Sequence, residues 1–256
     1  MKKLIVRTDD LGYTEGVTYG ILAAHRDGIV TTTSVMINMP FSKKAINLAK
    51  QYPNLQLGLH VNVTNGNCVA PKESVPNLVD AEGVFLSSKY RRKLAEEGKQ
   101  VLPVEEVYVE AVAQVKLFEE LVGCKPEYID IHALEISDFM EVVKRVKNDC
   151  NLNVCIYSDD SPVRMKDQAL AHYSYYGKKG EKFLEYFSEN HFKFEDDVEV
   201  LICHPGFIDY QLSKTSTFTD FRLLDYAMVT DKSVMAWLRE NDVELVDFNS
   251  AKKEMV

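Results

Sequence analysis

Short runs of branched aliphatic residues alternate along this chain with longer stretches whose apolar positions recur every three or four residues. The short runs are Leu4–Thr8, Thr31–Asn38, Gln56–Val63, Tyr128–Ala133, Asn153–Ser158, Val198–His204 and Val243–Phe248. They are rich in Val, Ile and Leu, as parallel strands buried on both faces are. Helical periodicity occupies Val17–Arg26, Lys43–Gln51, Val104–Leu121, Asp138–Asn148, Glu181–Asn190 and Asp231–Glu240. In the last of these, Val234, Trp237 and Leu238 fall at i, i+3 and i+4. Strands alternating with helices predict an α/β fold. About seven such strands point to a closed or nearly closed (β/α) barrel, with an open doubly wound sheet as the competitor that periodicity does not separate. No internal repeat or low-complexity linker divides residues 1–256, so one domain is expected. Two long connections, at 64–103 and 158–180, follow strands, on the side where such folds build their sites.

Composition narrows the function. The chain is 46% hydrophobic, enough for a sizeable core, and carries a formal net charge of -9. An acidic chain is a poor partner for phosphate backbones, which need clustered Lys and Arg, so no nucleic acid is expected. The basic run Lys89–Lys93 is followed within a few residues by acidic ones and reads as a solvated face. The apolar stretch after Met1-Lys2-Lys3 stops at Arg7 and Asp9, too short for a signal-peptide core. No stretch approaches the ~20 apolar residues of a membrane span. Five cysteines without a CxxC pair suit reduced thiols. A cytoplasmic protein with no membrane partner is expected, and a homodimer is left open.

The candidate chemistry stands at the strand ends. The first strand runs into Asp9-Asp10, the second ends at Asn38, and the third carries His60 and Asn62. The fourth carries Asp130 and His132, the sixth ends in His204-Pro205-Gly206, and the seventh ends at Asp247. In a parallel barrel such residues converge on one face. His60 and Asn62 share a strand face, as do Asp130 and His132, each pair being two residues apart. Asp9 and Asp10 have opposite parity, so both reach the site only if the strand ends or bends there, and Gly12 is the expected place for the bend. Two like charges near a core need an ion, a shared proton or a basic partner. Two imidazoles and a carboxylate make a metal triad with open positions for water and substrate. Asp10, His60 and His132 fit the ligand roles, Asp9 that of general base and His204 that of general acid. Ordinary roles are expected for His25, His172 and His191, for Cys203 as a buried inert thiol, and for Ser158-Asp159-Asp160 as a turn. The Tyr173–Tyr176 cluster reads as packing or as a platform for a sugar ring.

These residues resemble the YdjC/ChbG family of carbohydrate deacetylases. The matching stretches are Leu4–Gly12, Gly28–Ser34 with Asn38, Gly58–Thr64 with Gly66, Lys125–His132, Tyr176-Gly177 and Cys203–Asp209, in family order over nearly the whole chain. The resemblance implies a distorted (β/α) barrel related to polysaccharide deacetylases. It implies a divalent metal, Mg first and Zn as the alternative, held by Asp10, His60 and His132, with Asp9 as base. His204 as acid follows by analogy with the wider deacetylase group. Asn38, Asn62, Asp130 and Tyr176 are the candidate substrate contacts. The implied reaction removes an N-acetyl group from a chito-oligosaccharide such as diacetylchitobiose or its phosphate, releasing acetate. A glycosidase or other sugar hydrolase on the same barrel, and a non-catalytic sugar-binding homologue, are the alternatives. One departure stands out: after Asp130 the family has a histidine-rich stretch, and this chain keeps only His132 before Ala133-Leu134-Glu135-Ile136.

Overall fold

The computed structural model describes residues 2–157 and 198–253. Among the described residues, seven strands lie parallel in one sheet. They are β1 (Lys2–Leu11), β2 (Thr32–Val35), β3 (Gln56–Val61), β4 (Tyr128–Ile131), β5 (Val154–Cys155), β6 (Val198–Cys203) and β7 (Val243–Leu245). The helices of the described residues are α1 (Glu15–Asp27), α2 (Ser42–Ala49), α3 (Ser88–Glu96), α4 (Val104–Val122), α5 (Ser137–Asp149), α6 (Tyr210–Thr215), α7 (Asp220–Val229), α8 (Lys232–Glu240) and α9 (Phe248–Lys253). The spatial order β5-β4-β3-β2-β1-β6 makes a curled half-barrel. Among the described residues its outer strands β5 and β6 do not pair with each other, so closure of the barrel is not seen there. The expected helix at Glu181–Asn190, the 158–180 connection, His172, His191 and Tyr173–Tyr176 lie outside the described residues.

β1 lies between β2 and β6 and also pairs with β7, and its Leu4, Ile5 and Val6 are buried on both faces. One edge pairs with β6 from Lys3 to Thr8. The other edge is shared: β7 covers Lys2–Leu4 and β2 takes over from Arg7. Strand alternation sends Leu4 and Val6 outward and Ile5 inward. The outward set joins Val35, Leu59, Val61, Ile129, Leu201 and Cys203 beneath Val17 and Ile21 of α1, Ile46 of α2, Phe118 of α4 and Phe139 of α5. The inward set forms a floor of Ile5, Tyr128, Val154, Val198, Val246 and Phe248. Tyr128 and Phe248 meet with ring centroids 4.5 Å apart. Above this floor, toward the strand C-termini, the inner face turns polar.

Several elements depart from the sequence expectation. The third connection is partly ordered, carrying a 3-10 turn at Lys72–Ser74 and the helix α3. On that helix Arg91 is buried and ties the connection together, donating to the carbonyls of Asn77 (2.8 Å) and Val101 (3.1 Å). Phe248 begins a helix instead of ending a strand. Asp247 therefore does not join the strand-end cluster. β7 ends with Leu245 in register with Leu4, well below the level of Asp9, and Asp247 Oδ1 accepts the Ser250 N–H at 2.7 Å as a helix cap.

Gly58 shows how tightly the floor is packed. A Cβ on it would lie 2.4 Å from the Tyr128 ring. Gly58→Ala is expected to destabilise the fold by roughly 1–3 kcal/mol through overpacking. A fall in the urea midpoint with an unchanged slope would show it; an unchanged midpoint would refute it.

Candidate active site

The parity problem at Asp9-Asp10 is solved by a bulge. Thr8 pairs with Thr33 and Leu11 with Val35, three steps along β1 against two along β2. One extra residue is accommodated there. Asp10 takes it up with a φ of 75°, a left-handed conformation that Asp adopts more readily than most residues. Gly12 also has positive φ, but the turn that matters begins at Asp10 itself. Asp9 keeps the inward parity of Arg7, Leu11 rejoins the outer core, and Asp10 swings to the same site as Asp9.

Around Asp10 the three expected ligands converge. Asp10 Oδ1 lies 3.0 Å from His132 Nδ1 and 3.5 Å from His60 Nε2. The two ring nitrogens are 3.1 Å apart. Bonds of about 2.1 Å to one tetrahedral or octahedral ion put neighbouring donors roughly 3.0–3.4 Å apart, so this triangle fits a divalent ion. Asp10 Oδ1 is buried and carries no hydrogen bond of good geometry among the described residues, which an ion would remedy. Asp10 Oδ2 is engaged elsewhere, accepting from Arg222 at 2.6 Å. Burial pushes the Asp10 carboxyl up, yet Arg222 and His132 outweigh it and hold it well below the usual range.

His60 and Asp130 are register partners on β3 and β4. His60 Nδ1 donates to Asp130 Oδ1 at 2.7 Å, which turns Nε2 toward the triangle. Asp130 is 0% exposed and lies behind His60, not at a surface open to substrate. Its Oδ2 takes Ser34 Oγ at 3.0 Å and Arg7 at 3.4 Å. Arg7 also donates to Asp9 Oδ2 at 2.9 Å, and Ser34 reaches Asp9 Oδ1 at 3.3 Å. Burial raises the Asp9 carboxyl, but Arg7, His60 and His204 bring it below its ordinary value. A second cluster of Asp9, His60 and Asp130 also has ligand-type atoms within 4.8 Å. The Arg7 guanidinium already bridges its two carboxylates, so a cation there would meet a like charge.

His204 Nε2 stands 3.7 Å from Asp9 Oδ2, and its backbone N–H donates to Asp225 at 2.6 Å. Burial pushes the Asp225 carboxyl up to about 7. The structure thus brings together Asp9, Asp10, His60, His132 and His204. Asn38 and Asn62 lie at the edge, their side chains bonded to the loop 62–67. Tyr176 lies outside the described residues. Cys203 is buried, its thiol pushed well up by burial, as an inert packing residue should be. His25 bonds the Val30 carbonyl at 2.7 Å, away from the site.

A family model described as YdjC-like protein matches residues 3–240. The chain belongs to the YdjC-like family. A carbohydrate deacetylase of Halalkalibacterium halodurans is 34% identical over 89% of this chain and 95% of its own length. Carbohydrate deacetylase 2 of Listeria innocua is 29% identical over 98% and 100%. Among solved structures, one from Enterococcus faecalis, described as a candidate cellobiose-phosphate cleavage protein, superposes with a TM-score of 0.80 at 27% identity, covering 97% of this chain and 98% of that one. The peptidoglycan deacetylase PdaC of Bacillus subtilis shares the fold, with a TM-score of 0.52 at 13% identity over 98% and 90%.

In this YdjC-like chain the sequence reading passed over Arg7, Ser34, Arg222 and Asp225. Arg7 had a readable signal, since it shares inward parity with Asp9 within an apolar strand. Arg222 had none: it arrives from α7, more than two hundred residues from Asp10. Burial lowers the His60 imidazole, but Asp130, Asp9 and Asp10 prevail and raise it to about 9. A value raised above the ordinary 6.5 means the proton stabilises the fold fully below pH 6.5 and ceases to do so as pH rises through about 9. Uptake of a divalent ion by metal-stripped protein near neutral pH should therefore release about one proton. Calorimetry in buffers of different ionisation enthalpy reads it. Uptake with no proton release would show that His60 is already neutral.

Proposed function

We propose that the chain is a divalent-metal-dependent deacetylase of N-acetylated amino-sugar oligosaccharides. The observation that carries this reading is the convergence of Asp10 Oδ1, His60 Nε2 and His132 Nδ1 within 3.0–3.5 Å of one another, with Asp9 and His204 beside them. The names borne by the curated relatives support the reaction class. Two imidazoles and one carboxylate favour Zn or another borderline ion over Mg, which prefers oxygen donors. Such an ion, when bound, supplies Lewis acidity toward a carbonyl oxygen and toward water.

The chain's own groups then divide the proton work. Asp9 is held ionised by Arg7, with His60 and His204 adding to it, and its Oδ2 faces His204. It accepts the proton of the water that attacks the acetamide carbon. His204, protonated, gives its proton to the amine nitrogen as the C–N bond breaks, leaving acetate and a free amino sugar. Asp225 fixes the backbone at His204 and so fixes where that proton is delivered. Arg222 occupies Asp10 Oδ2 and leaves Oδ1 as the ligand atom.

The test is acetate release from diacetylchitobiose and its phosphate by metal-stripped protein given Mg, Mn, Co or Zn. Reducing sugar released without acetate would favour a glycosidase. Sugar binding without product under every metal would favour a non-catalytic homologue. Asp10→Ala should abolish ion binding and acetate release together. Asp9→Asn should keep ion binding and lower turnover about 10²–10⁴-fold, the usual worth of a general base. Full turnover by Asp9→Asn would remove Asp9 from that role.

A further inference from the structure

The loop after β3 is bonded from two sides. Asn62 Nδ2 donates to Asn38 Oδ1 at 2.9 Å and to the Asn65 carbonyl at 2.7 Å. Asn62 Oδ1 accepts the N–H groups of Thr64 (3.0 Å) and Asn65 (3.1 Å). Asn38 Nδ2 adds a second bond to the Asn65 carbonyl at 2.8 Å. Beneath the loop, on α4, Gln114 bonds both backbone groups of Asn62, and Glu110 accepts the N–H groups of Val69 and Ala70. Glu110 and Gln114 are both 0% exposed. Burying a carboxylate to hold loop backbone is expensive unless the loop must stay fixed.

What the loop presents is the Asn65 side chain. Its Nδ2 lies 3.0 Å from His132 Nε2 and 3.2 Å from Thr64 Oγ1. A neutral imidazole has one N–H and one lone pair. With Asn65 Nδ2 donating to Nε2, the proton of neutral His132 sits on Nδ1, where Asp10 Oδ1 at 3.0 Å accepts it. In that tautomer Nδ1 has no lone pair for an ion. Ligation through Nδ1 needs the proton on Nε2, and hence an acceptor at Asn65. A half-turn of the amide puts Oδ1 where Nδ2 stands. Thr64 Oγ1 accepts from Nδ2 while donating to Asn62 Oδ1 at 3.3 Å, and can turn that hydrogen to Asn65 Oδ1 after the half-turn, since Asn62 Oδ1 keeps two backbone donors. His60 differs: Asp130 Oδ1 is only an acceptor and keeps a proton on Nδ1, so once His60 gives up its second proton the lone pair falls on Nε2.

We infer that Asn65 is a positioning residue that sets the tautomer of His132, and that its amide turns over when the Asp10–His60–His132 site takes up a divalent ion. This rests on the metal-centre reading above. Asn38 and Asn62 then act by holding Asn65 in place.

Zn and Mn binding to the metal-stripped full chain, by calorimetry, compares wild type with Asn65→Ala, Asn65→Asp and Asp10→Ala. Asn65→Ala should weaken binding about tenfold or more, as loss of a partner to a ligating histidine does. Asn65→Asp, which only accepts, should tighten it. Its added charge tightens binding by itself, so nitrogen NMR of histidine-labelled, metal-free protein carries the decision. His132 should hold its proton on Nδ1 in the wild type and on Nε2 in Asn65→Asp. The same tautomer in both, or equal ion affinity for all three position-65 forms, overturns the inference. A wild type that binds no ion, or binds it no better than Asp10→Ala does, refutes the metal centre instead, and the NMR comparison still decides the tautomer.

Discussion

Everything at the strand ends depends on the guanidinium of Arg7. It is buried to 2% exposure and bridges Asp9 and Asp130, two carboxylates that would otherwise face each other in a place poor in water. Removing one member of such a buried group leaves an uncompensated charge, the costly case for buried ion pairs. With Arg222 on Asp10, three carboxylates face two guanidiniums, and the centre is short of positive charge while its histidines are neutral. A proton on His60 makes up that deficit; a divalent ion would make it up with a charge to spare. The same deficit explains why His60 holds its proton so strongly, while Arg7, His60 and His204 together keep Asp9 ionised.

The bulge in β1 is the second element of the design. A regular strand would send Asp10 into the aliphatic layer against the helices and pull Leu11 into the site. One inserted residue with a left-handed backbone exchanges those fates. Two adjacent carboxylates thereby acquire separate partners: Arg7 and Ser34 for Asp9, Arg222 for Asp10. Difference in environment, not in residue type, lets one fit a ligand's place and the other a base's.

Much of this was legible in the chain. Strand alternation put His60 on one face with Asn62 and Asp130 on one face with His132, but not His60 beside Asp130, because strand register across neighbours has no local signal. The apolar runs located every strand core of the described residues, though every strand but β1 stops short of the end of its run. Asp247 was misplaced because a run of apolar residues says nothing about how far along its neighbour a strand pairs. The bulge was invisible because a single inserted residue leaves the local pattern almost unchanged. Arg222, Asp225 and Asn65 were missed for a different reason: each comes from a helix or loop whose approach to the site is set by tertiary packing. No local spacing encodes a contact between Asp10 and Arg222.

The pairing of β1 with three other strands has a consequence for how the chain matures. Its partner β6 lies almost two hundred residues downstream, and Arg222 later still. Until those segments have been synthesised and docked, one side of β1 is a long, apolar, unpaired strand edge carrying Asp9 and Asp10 without part of their counter-charge. Contacts of such sequence separation form slowly, and an open edge of this kind is where nascent chains associate wrongly. A strand that precedes its partners by so much chain is thus among the last to be satisfied.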